Sequence, residues 1–386
     1  MDDQPNLRDL PLPDGIRSRF IDIVNGLRMH VLEAGYETAD RPCLLLLHGF
    51  PELAFSWRKL MVPLAQAGFH VIAPDQRGYG RTTGWDGDYD GDLRAYGMLN
   101  LVRDILALVN RLGLTSVDAV IGHDAGSPVA AHCALIRPDV FKSVAMMSAP
   151  YDGPPEFPPM EPVAKPSDIH ADLAALARPR KHYQWYYGTR AADADMRHCP
   201  QGIADFFRAY YHVKSADWAG NTPHLLEAWT ASELAKMPTY YIMDADQDMA
   251  QTVAPFMPTA DEVTACQWLT NAELAIYAGE FSRNGFQSAL QWYRCMTDPG
   301  FAKDLRLFSG RTIDVPACFI AGDKDWGIYQ KPGALETMQN RACTNMTHFA
   351  LVPGAGHWVQ QEQPQAVCDL LIEFLSSARN AKRTHP

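Results

Sequence analysis

Short apolar runs alternate with helical patterns along much of the chain, and this alternation limits the possible folds more than any other feature. Residues 43–47, 69–74 and 117–121 are apolar at nearly every position, as expected of strands buried on both faces. Apolar residues recur at helical spacing over 98–112, and Gly113 is suited to end that helix. The alternation predicts an α/β fold with a mostly parallel central sheet and helices on both faces.

Three further elements extend this pattern. Residues 20–31 read as two short strands around Asn25-Gly26, a strong hairpin signal because both residues tolerate positive φ. Residues 129–136 are predicted to form a helix and residues 141–147 a fourth buried strand.

The pattern breaks after the fourth strand. Prolines crowd residues 149–166, as is typical of a domain boundary, because proline interrupts both strands and helices. They include Pro154, Pro155, Pro158, Pro159 and Pro162. Residues 151–308 are rich in Trp, Tyr, Met and helical patterns and contain no clear buried strand. We therefore expect this segment to be a helical cap domain.

Strand-like runs resume at 315–321 and 349–353, and an amphipathic helix over 366–375 follows them. The simplest organisation is one core domain, formed by residues 1–150 and 309–386, into which the cap is inserted.

Composition excludes several classes of function. A net charge of −11 argues against binding to nucleic acid, which requires a basic surface. No apolar stretch is long enough to span a membrane, and residues 1–13 lack the pattern of a signal peptide. Eight scattered cysteines, without a metal or redox motif, favour a reduced, cytoplasmic protein. The sequence leaves the formation of a homo-oligomer open.

The strand at 117–121 runs into Gly122-His123-Asp124-Ala125-Gly126, and a predicted helix follows. This is the spacing of a nucleophile elbow, a tight strand-to-helix turn whose glycines let the central side chain project into a cleft. The central residue is Asp124, and a carboxylate attacks an sp³ carbon to form an ester with the substrate. An Asp that only caps the next helix is the structural alternative, and Ser127 is a weaker candidate nucleophile.

Three motifs together resemble those of the epoxide hydrolases of the α/β-hydrolase superfamily. They are His48-Gly49-Phe50-Pro51-Glu52, the loop Asp75-Gln76-Arg77-Gly78-Tyr79-Gly80, and Gly122-His123-Asp124. The resemblance extends from about Phe20 to the final helix. It implies the α/β-hydrolase fold with an inserted cap, conversion of an epoxide and water to a vicinal diol, and no metal or organic cofactor.

The resemblance also implies the other catalytic groups. Asp325, in Gly322-Asp323-Lys324-Asp325, matches the acid of the family, with Asp323 as the alternative. His357, in Gly356-His357-Trp358, matches the base that activates water, in the chain order nucleophile, acid, histidine. The N–H groups of Phe50 and Ala125 correspond to the oxyanion hole, whose donors stabilise a tetrahedral intermediate.

Two cap motifs distinguish epoxide hydrolases from dehalogenases that share an Asp nucleophile. His182-Tyr183-Gln184-Trp185-Tyr186 and Gln291-Trp292-Tyr293-Arg294 resemble the tyrosine motifs of epoxide hydrolases. Tyr183 and Tyr293 would then bind the epoxide oxygen and protonate it. Pro51, Trp185 and Trp358 are candidate contacts for a small apolar epoxide, although packing alone also explains an aromatic side chain such as Trp185.

The chain departs from the family pattern at three places. Ala125 stands where many relatives carry Trp, which argues against a halide-binding indole and reshapes the pocket beside Asp124. Ser127 replaces a small apolar residue. An insertion is expected within residues 190–260. The alternatives to epoxide hydrolysis are an Asp-nucleophile dehalogenase and a ligand-binding protein that has lost its chemistry.

Overall fold

The computed structural model describes residue 7 and residues 9–158 and 168–384, with side chains described as far as residue 380. Ten strands are present among these residues. They are β1 (Ile16–Val24), β2 (Leu27–Ala34), β3 (Cys43–Leu47), β4 (His70–Pro74), β5 (Ala119–His123), β6 (Val144–Met147), β7 (Arg180–His182), β8 (Ile242–Asp244), β9 (Ala317–Gly322) and β10 (Met346–Val352). Pro159 and Pro162, two prolines of the predicted boundary, lie outside the described residues.

Sixteen α-helices connect and cover these strands in the described part of the chain. They are α1 (Arg58–Gln66), α2 (Met98–Arg111), α3 (Gly126–Ile136), α4 (Ile169–Ala174), α5 (Tyr183–Tyr187), α6 (Ala191–Arg197), α7 (Gly202–Lys214), α8 (Ala231–Leu234), α9 (Met249–Val253), α10 (Ala260–Ala265), α11 (Asn271–Asn284), α12 (Gln287–Thr297), α13 (Pro299–Leu305), α14 (Ala334–Thr337), α15 (Val359–Glu362) and α16 (Pro364–Thr384). None of the helices in this part of the chain is both long and apolar enough to cross a bilayer.

Eight strands form one sheet in the order β1-β2-β4-β3-β5-β6-β9-β10. The six strands from β4 to β10 in that order run parallel, while β1 and β2 pair antiparallel at one edge. The predicted mostly parallel sheet is therefore confirmed, as is the hairpin at Asn25-Gly26. Because the strands are parallel, the loops after β3, β5, β9 and β10 leave the sheet at the same edge, where ligands bind in open α/β sheets.

The helices cover both faces of the sheet. On β3, Leu44 and Leu46 pack toward α1 and α16, while Leu45 and Leu47 pack toward α2 and α3. All four leucines are fully buried. Burial of each side chain contributes about 1.5–3 kcal/mol to folding, which explains why the strand is apolar at every position.

The described residues between β6 and β9 are mostly helical, but they also contain two short strands that the sequence did not indicate. β7 and β8 pair antiparallel in a separate two-stranded sheet. The expectation of a segment without strands was therefore wrong. Strands of three residues are too short to show an alternating pattern, and both lie among helical neighbours.

Helices α11 and α12 attach this segment to the core. The Trp292 indole N–H donates to the carbonyl of Arg77 at 2.9 Å, and the Ser288 hydroxyl donates to the carbonyl of Gly78 at 2.6 Å. On the other side, Arg58 donates to the carboxylate of Glu273 at 2.8 Å. These bonds hold α12, which carries Tyr293, over the carboxyl edge of the sheet.

Candidate active site

Asp124 lies in the turn between β5 and α3. Its φ is 51°, in the left-handed region that Asp tolerates better than most residues. The turn is tight: a Cβ at Gly122 would lie 2.1 Å from the carbonyl oxygen of Gly126, and one at Gly126 would lie 2.2 Å from that of Leu47. Only glycine fits at these two positions. The turn therefore projects the carboxylate of Asp124 away from the sheet edge.

The loop after β3 supplies a hydrogen-bond donor to this carboxylate. The backbone N–H of Phe50 donates to Asp124 Oδ1 at 2.9 Å. The Phe50–Pro51 peptide bond is cis, and the carbonyl of the buried Pro51 accepts from the hydroxyl of Tyr211. Ala125 is the N-cap residue of α3, at the helix end where backbone N–H groups lack helical partners.

His357 lies between two carboxylates. Its Nε2 is 3.3 Å from Asp124 Oδ2, and its Nδ1 is 3.1 Å from Asp325 Oδ1. Asp325 follows β9, is fully buried, and also accepts from the backbone N–H of Gly327 at 2.7 Å. The alternative acid, Asp323, instead accepts from the N–H of Gly354. The structure thus brings Asp124, His357 and Asp325 together, in the arrangement of nucleophile, base and orienting acid.

Electrostatics keep Asp124 ionised. Burial by itself would raise the pKa of its carboxyl, but the imidazole of His357, 3.3 Å from Oδ2, and the charge of Lys214 hold that pKa well below its usual range. Lys214 is buried, and its carbonyl accepts the backbone N–H of His357 at 2.9 Å. A carboxylate that is ionised at neutral pH, buried and partly freed of water is suited to nucleophilic attack.

A second buried pair, His123 and Glu52, supports His357 from behind, although no role for the carboxylate of Glu52 was predicted from the sequence. His123 Nδ1 lies 2.6 Å from Glu52 Oε2, and His123 Nε2 lies 2.7 Å from the carbonyl oxygen of His357. Both ring nitrogens face acceptors, so the ring is held as an imidazolium. Burial of His123 opposes its protonation, but the charge of Glu52 outweighs burial and raises the pKa of His123 above its ordinary 6.5. In the same way, burial would raise the pKa of the Glu52 carboxyl, but His123 outweighs burial and lowers that pKa.

This pair leads to a prediction for Glu52→Gln. A raised His123 pKa contributes stability that is fully present below pH 6.5 and is lost as pH rises through the folded-state pKa. Removing Glu52 leaves the buried His123 without the carboxylate that its Nδ1 contacts, so we expect the free energy of unfolding to fall by about 3–5 kcal/mol at about pH 6. As pH rises above about 6, we also expect the free energy of unfolding to decline less in Glu52→Gln than in the wild type.

Urea denaturation across pH measures both effects. Glu37→Gln, at an exposed glutamate, is the matched control, and its free energy of unfolding should change by less than about 0.5 kcal/mol. Equal stability of Glu52→Gln and wild type at every pH would show that the pair is not ionised.

Tyr183 and Tyr293 face each other across the site. Tyr183 opens α5 and Tyr293 lies in α12, and their ring centroids are 6.1 Å apart. The Tyr183 hydroxyl donates to Gln330 Oε1 at 2.9 Å, a contact that the sequence did not suggest. Burial, and then the negative charge of Asp124, raise the pKa of both phenols well above 10. Both phenols therefore stay protonated and can act as hydrogen-bond donors.

Three other candidates have different surroundings. Ser127 is fully buried and its hydroxyl donates to the carbonyl of Ala149 at 2.7 Å, so it is not available as a nucleophile. Trp185 lines a separate cavity with His170 and Lys181, a placement that does not support contact with a substrate at Asp124. Trp358 has no exposed surface and packs edge-on against His357, which favours a supporting role.

Comparisons with known proteins agree with this geometry. Residues 42–364 match the family model described as "alpha/beta hydrolase fold". Epoxide hydrolase B of Mycobacterium tuberculosis is 31% identical over 92% of this chain and 97% of its own length. Epoxide hydrolase A of the same organism is 32% identical over 93% of this chain and 97% of its own length.

Solved structures give the same result. An epoxide hydrolase from an endophytic Streptomyces superposes with a TM-score of 0.75 at 30% identity, covering 95% of this chain and 97% of that one. Epoxide Hydrolase A from Mycobacterium thermoresistibile superposes with a TM-score of 0.70 at 30% identity, covering 94% of this chain and 98% of that one.

Proposed function

Because the chain belongs to the α/β-hydrolase family, and within it to the epoxide hydrolases, we propose that it adds water to an epoxide to give a vicinal diol. The observation that carries this proposal is an aspartate at the elbow whose two carboxylate oxygens face the N–H of Phe50 and the imidazole of His357. Such an aspartate can form an ester with an sp³ carbon, and the histidine can activate the water that cleaves it.

In the first step Asp124 attacks a ring carbon. Oδ1 is held by the N–H of Phe50, so Oδ2 attacks, and the electron pair of the breaking C–O bond moves to the epoxide oxygen. That oxygen takes a proton from Tyr183 or Tyr293, and the phenolate regains a proton from water. Formation of the ester also removes the charge of Asp124, which lowers the pKa of both phenols as the alkoxide forms.

In the second step His357, oriented by Asp325, removes a proton from water, and the water oxygen attacks the ester carbonyl carbon of Asp124. The N–H groups of Phe50 and Ala125 stabilise the tetrahedral oxyanion. In enzymes with such an oxyanion hole, each donor lowers the activation barrier by about 3–4 kcal/mol. The acyl C–O bond then breaks and the diol oxygen takes the proton from His357, which leaves Asp124 as a carboxylic acid. This acid releases its proton to solvent, where it balances the hydroxide left when water reprotonated the phenolate, and the carboxylate of Asp124 is restored.

The substrate is a small apolar epoxide that binds between a core domain, residues 1–150 and 309–386, and a cap domain, residues 151–308. Every strand of the main sheet lies outside 151–308, which supports this division. The ring of Phe50 packs against those of Tyr187, Phe281 and Tyr293, so the surroundings of Asp124 are apolar. All eight cysteines are free thiols, which supports a reducing, cytoplasmic location.

Assays of styrene oxide and of a chloroalkane of similar size test the reaction type. We expect diol from the epoxide and no chloride from the chloroalkane. Chloride release without diol formation would assign the site to a dehalogenase. Binding of styrene oxide without turnover would assign it to a ligand-binding protein.

The two phenols provide a quantitative prediction. Tyr183→Phe and Tyr293→Phe should each lower kcat/KM for the epoxide about 10²-fold, and the double variant should lower it further, because each removes a proton donor to the leaving oxygen. Tyr186→Phe is the matched control, since its hydroxyl donates to Asp195 at 2.9 Å. Single variants that react as fast as the control would exclude protonation by these phenols.

A further inference from the structure

A cavity of about 500 Å³ lies between α2 and α3 on one side and α12 and α13 on the other. This volume is within the range of small-molecule pockets, about 300–1,000 Å³. Ala125, the residue after Asp124, forms part of its wall, so the cavity begins beside the proposed nucleophile. A larger side chain at this position would reduce the space next to Asp124.

Most of the described residues that line the cavity are aromatic or aliphatic. They include Tyr96, Met98, Leu101, Trp292, Met296 and Phe301. The charged residues on its wall pair with one another. Lys331 pairs with the half-buried Asp152, and Arg341 pairs with Glu156 at an exposed position. The cavity is therefore suited to an uncharged apolar group rather than to an ion.

One wall residue provides an unused hydrogen-bond acceptor. His132 of α3 is 5% exposed, and its Nδ1 lies 2.7 Å from the carbonyl oxygen of Pro128, so Nδ1 carries the proton. Nε2, at the far end of the ring from the helix backbone, has no hydrogen-bond partner among the described residues. Burial lowers the pKa of His132 to about 4, so at neutral pH Nε2 accepts and does not donate.

Tyr151 lies beside this histidine. The two rings pack edge-on with centroids 5.1 Å apart, and Tyr151 is 4% exposed. Its hydroxyl also has no hydrogen-bond partner in the described part of the chain. An unpaired buried polar group is costly, and a hydroxyl group of a ligand can satisfy both, because it donates and accepts at once.

We propose that this cavity is a subsite for an apolar chain attached to the epoxide, and that a hydroxyl on this chain donates to His132 Nε2 and accepts from Tyr151. The inference rests on the proposed function and narrows its substrate class to apolar epoxides with a remote hydroxyl. His132 is six residues beyond Gly126 in α3, which corresponds to about 9 Å along the helix. The hydroxyl must therefore be separated from the epoxide by a chain of similar length.

The terminal epoxides of undecenol, undecene, hexenol and hexene test the subsite, since they differ in the hydroxyl and in its reach. We expect the wild type to turn over undecenol epoxide with a kcat/KM roughly five- to tenfold above that of undecene oxide, the size of one net hydrogen bond, mainly through KM. Hexenol epoxide should gain nothing over hexene oxide. In His132→Phe and in Tyr151→Phe, the kcat/KM for undecenol epoxide divided by that for undecene oxide should fall toward one.

An unchanged ratio in both variants, or no preference for undecenol epoxide in the wild type, overturns the inference. If no epoxide is turned over, the proposed function fails, and calorimetric titration with undecanol still decides the subsite. Binding of undecanol that weakens in His132→Phe supports the subsite, whereas no binding to the wild type overturns it. Tyr151→Phe removes a single oxygen atom, so it remains informative if His132→Phe does not fold.

Discussion

Replacement of His357 by glutamine is expected to stop turnover after a single chemical step and to leave the substrate attached to the protein. Glutamine cannot act as a base, so the ester on Asp124 should form but not hydrolyse. We expect kcat to fall about 10²–10⁴-fold, the usual contribution of a general base. Intact-protein mass spectrometry after incubation with styrene oxide should show one added molecule of epoxide per chain.

The double variant His357→Gln with Asp124→Asn is the control for this experiment, because it lacks the attacking carboxylate and should gain no mass. Peptide mapping of the single variant should place the adduct on Asp124. An adduct elsewhere, or normal turnover by His357→Gln, would contradict the assigned role of His357.

Replacement of Asp124 by asparagine should have an equally large effect, for a different reason. Asparagine tolerates the positive φ at this position and can still accept the N–H of Phe50, so the turn should remain folded. An amide is not a nucleophile, and we expect kcat to fall by at least about 10⁴-fold. Steady-state assays of purified protein, with thermal unfolding to show that the fold is kept, measure this effect.

Ser127→Ala separates this prediction from a serine mechanism. The hydroxyl of Ser127 is buried and donates to the carbonyl of Ala149, so its loss should leave the reaction intact. Full loss of activity in Ser127→Ala with activity retained in Asp124→Asn would reverse the assignment of the nucleophile.

The parts of the fold that could be predicted from the sequence are those with a strong local pattern. β3 and β5 are apolar at nearly every position because both faces are buried, and this property is visible in the sequence. The turn at Asp124 was predictable because only glycine fits at Gly122 and Gly126. β7 and β8 were missed because three residues carry no periodic signal, and tertiary packing alone sets their pairing.

The site was predictable where spacing along the chain carries the information and not where folding alone brings residues together. The resemblance of the motifs around Asp124, Asp325 and His357 to those of epoxide hydrolases, together with their order along the chain, suggested their roles before any distance was known. The contact of His123 with Glu52 spans 71 residues and its contact with His357 spans 234, so no local pattern reveals them. Likewise, the direction in which Trp185 points depends on how the inserted helices pack.

Isotopic labelling during a single turnover tests the central claim, that an ester forms on Asp124 and is cleaved at its acyl carbon. Excess enzyme is mixed with styrene oxide in ¹⁸O-water, and the diol and the Asp124 peptide are analysed by mass spectrometry. The mechanism predicts an unlabelled first-turnover diol and one ¹⁸O atom in the carboxylate of Asp124, because water attacks the carbonyl carbon of the ester. A diol that carries ¹⁸O, with Asp124 unlabelled, would show that water opens the epoxide directly and would contradict the mechanism.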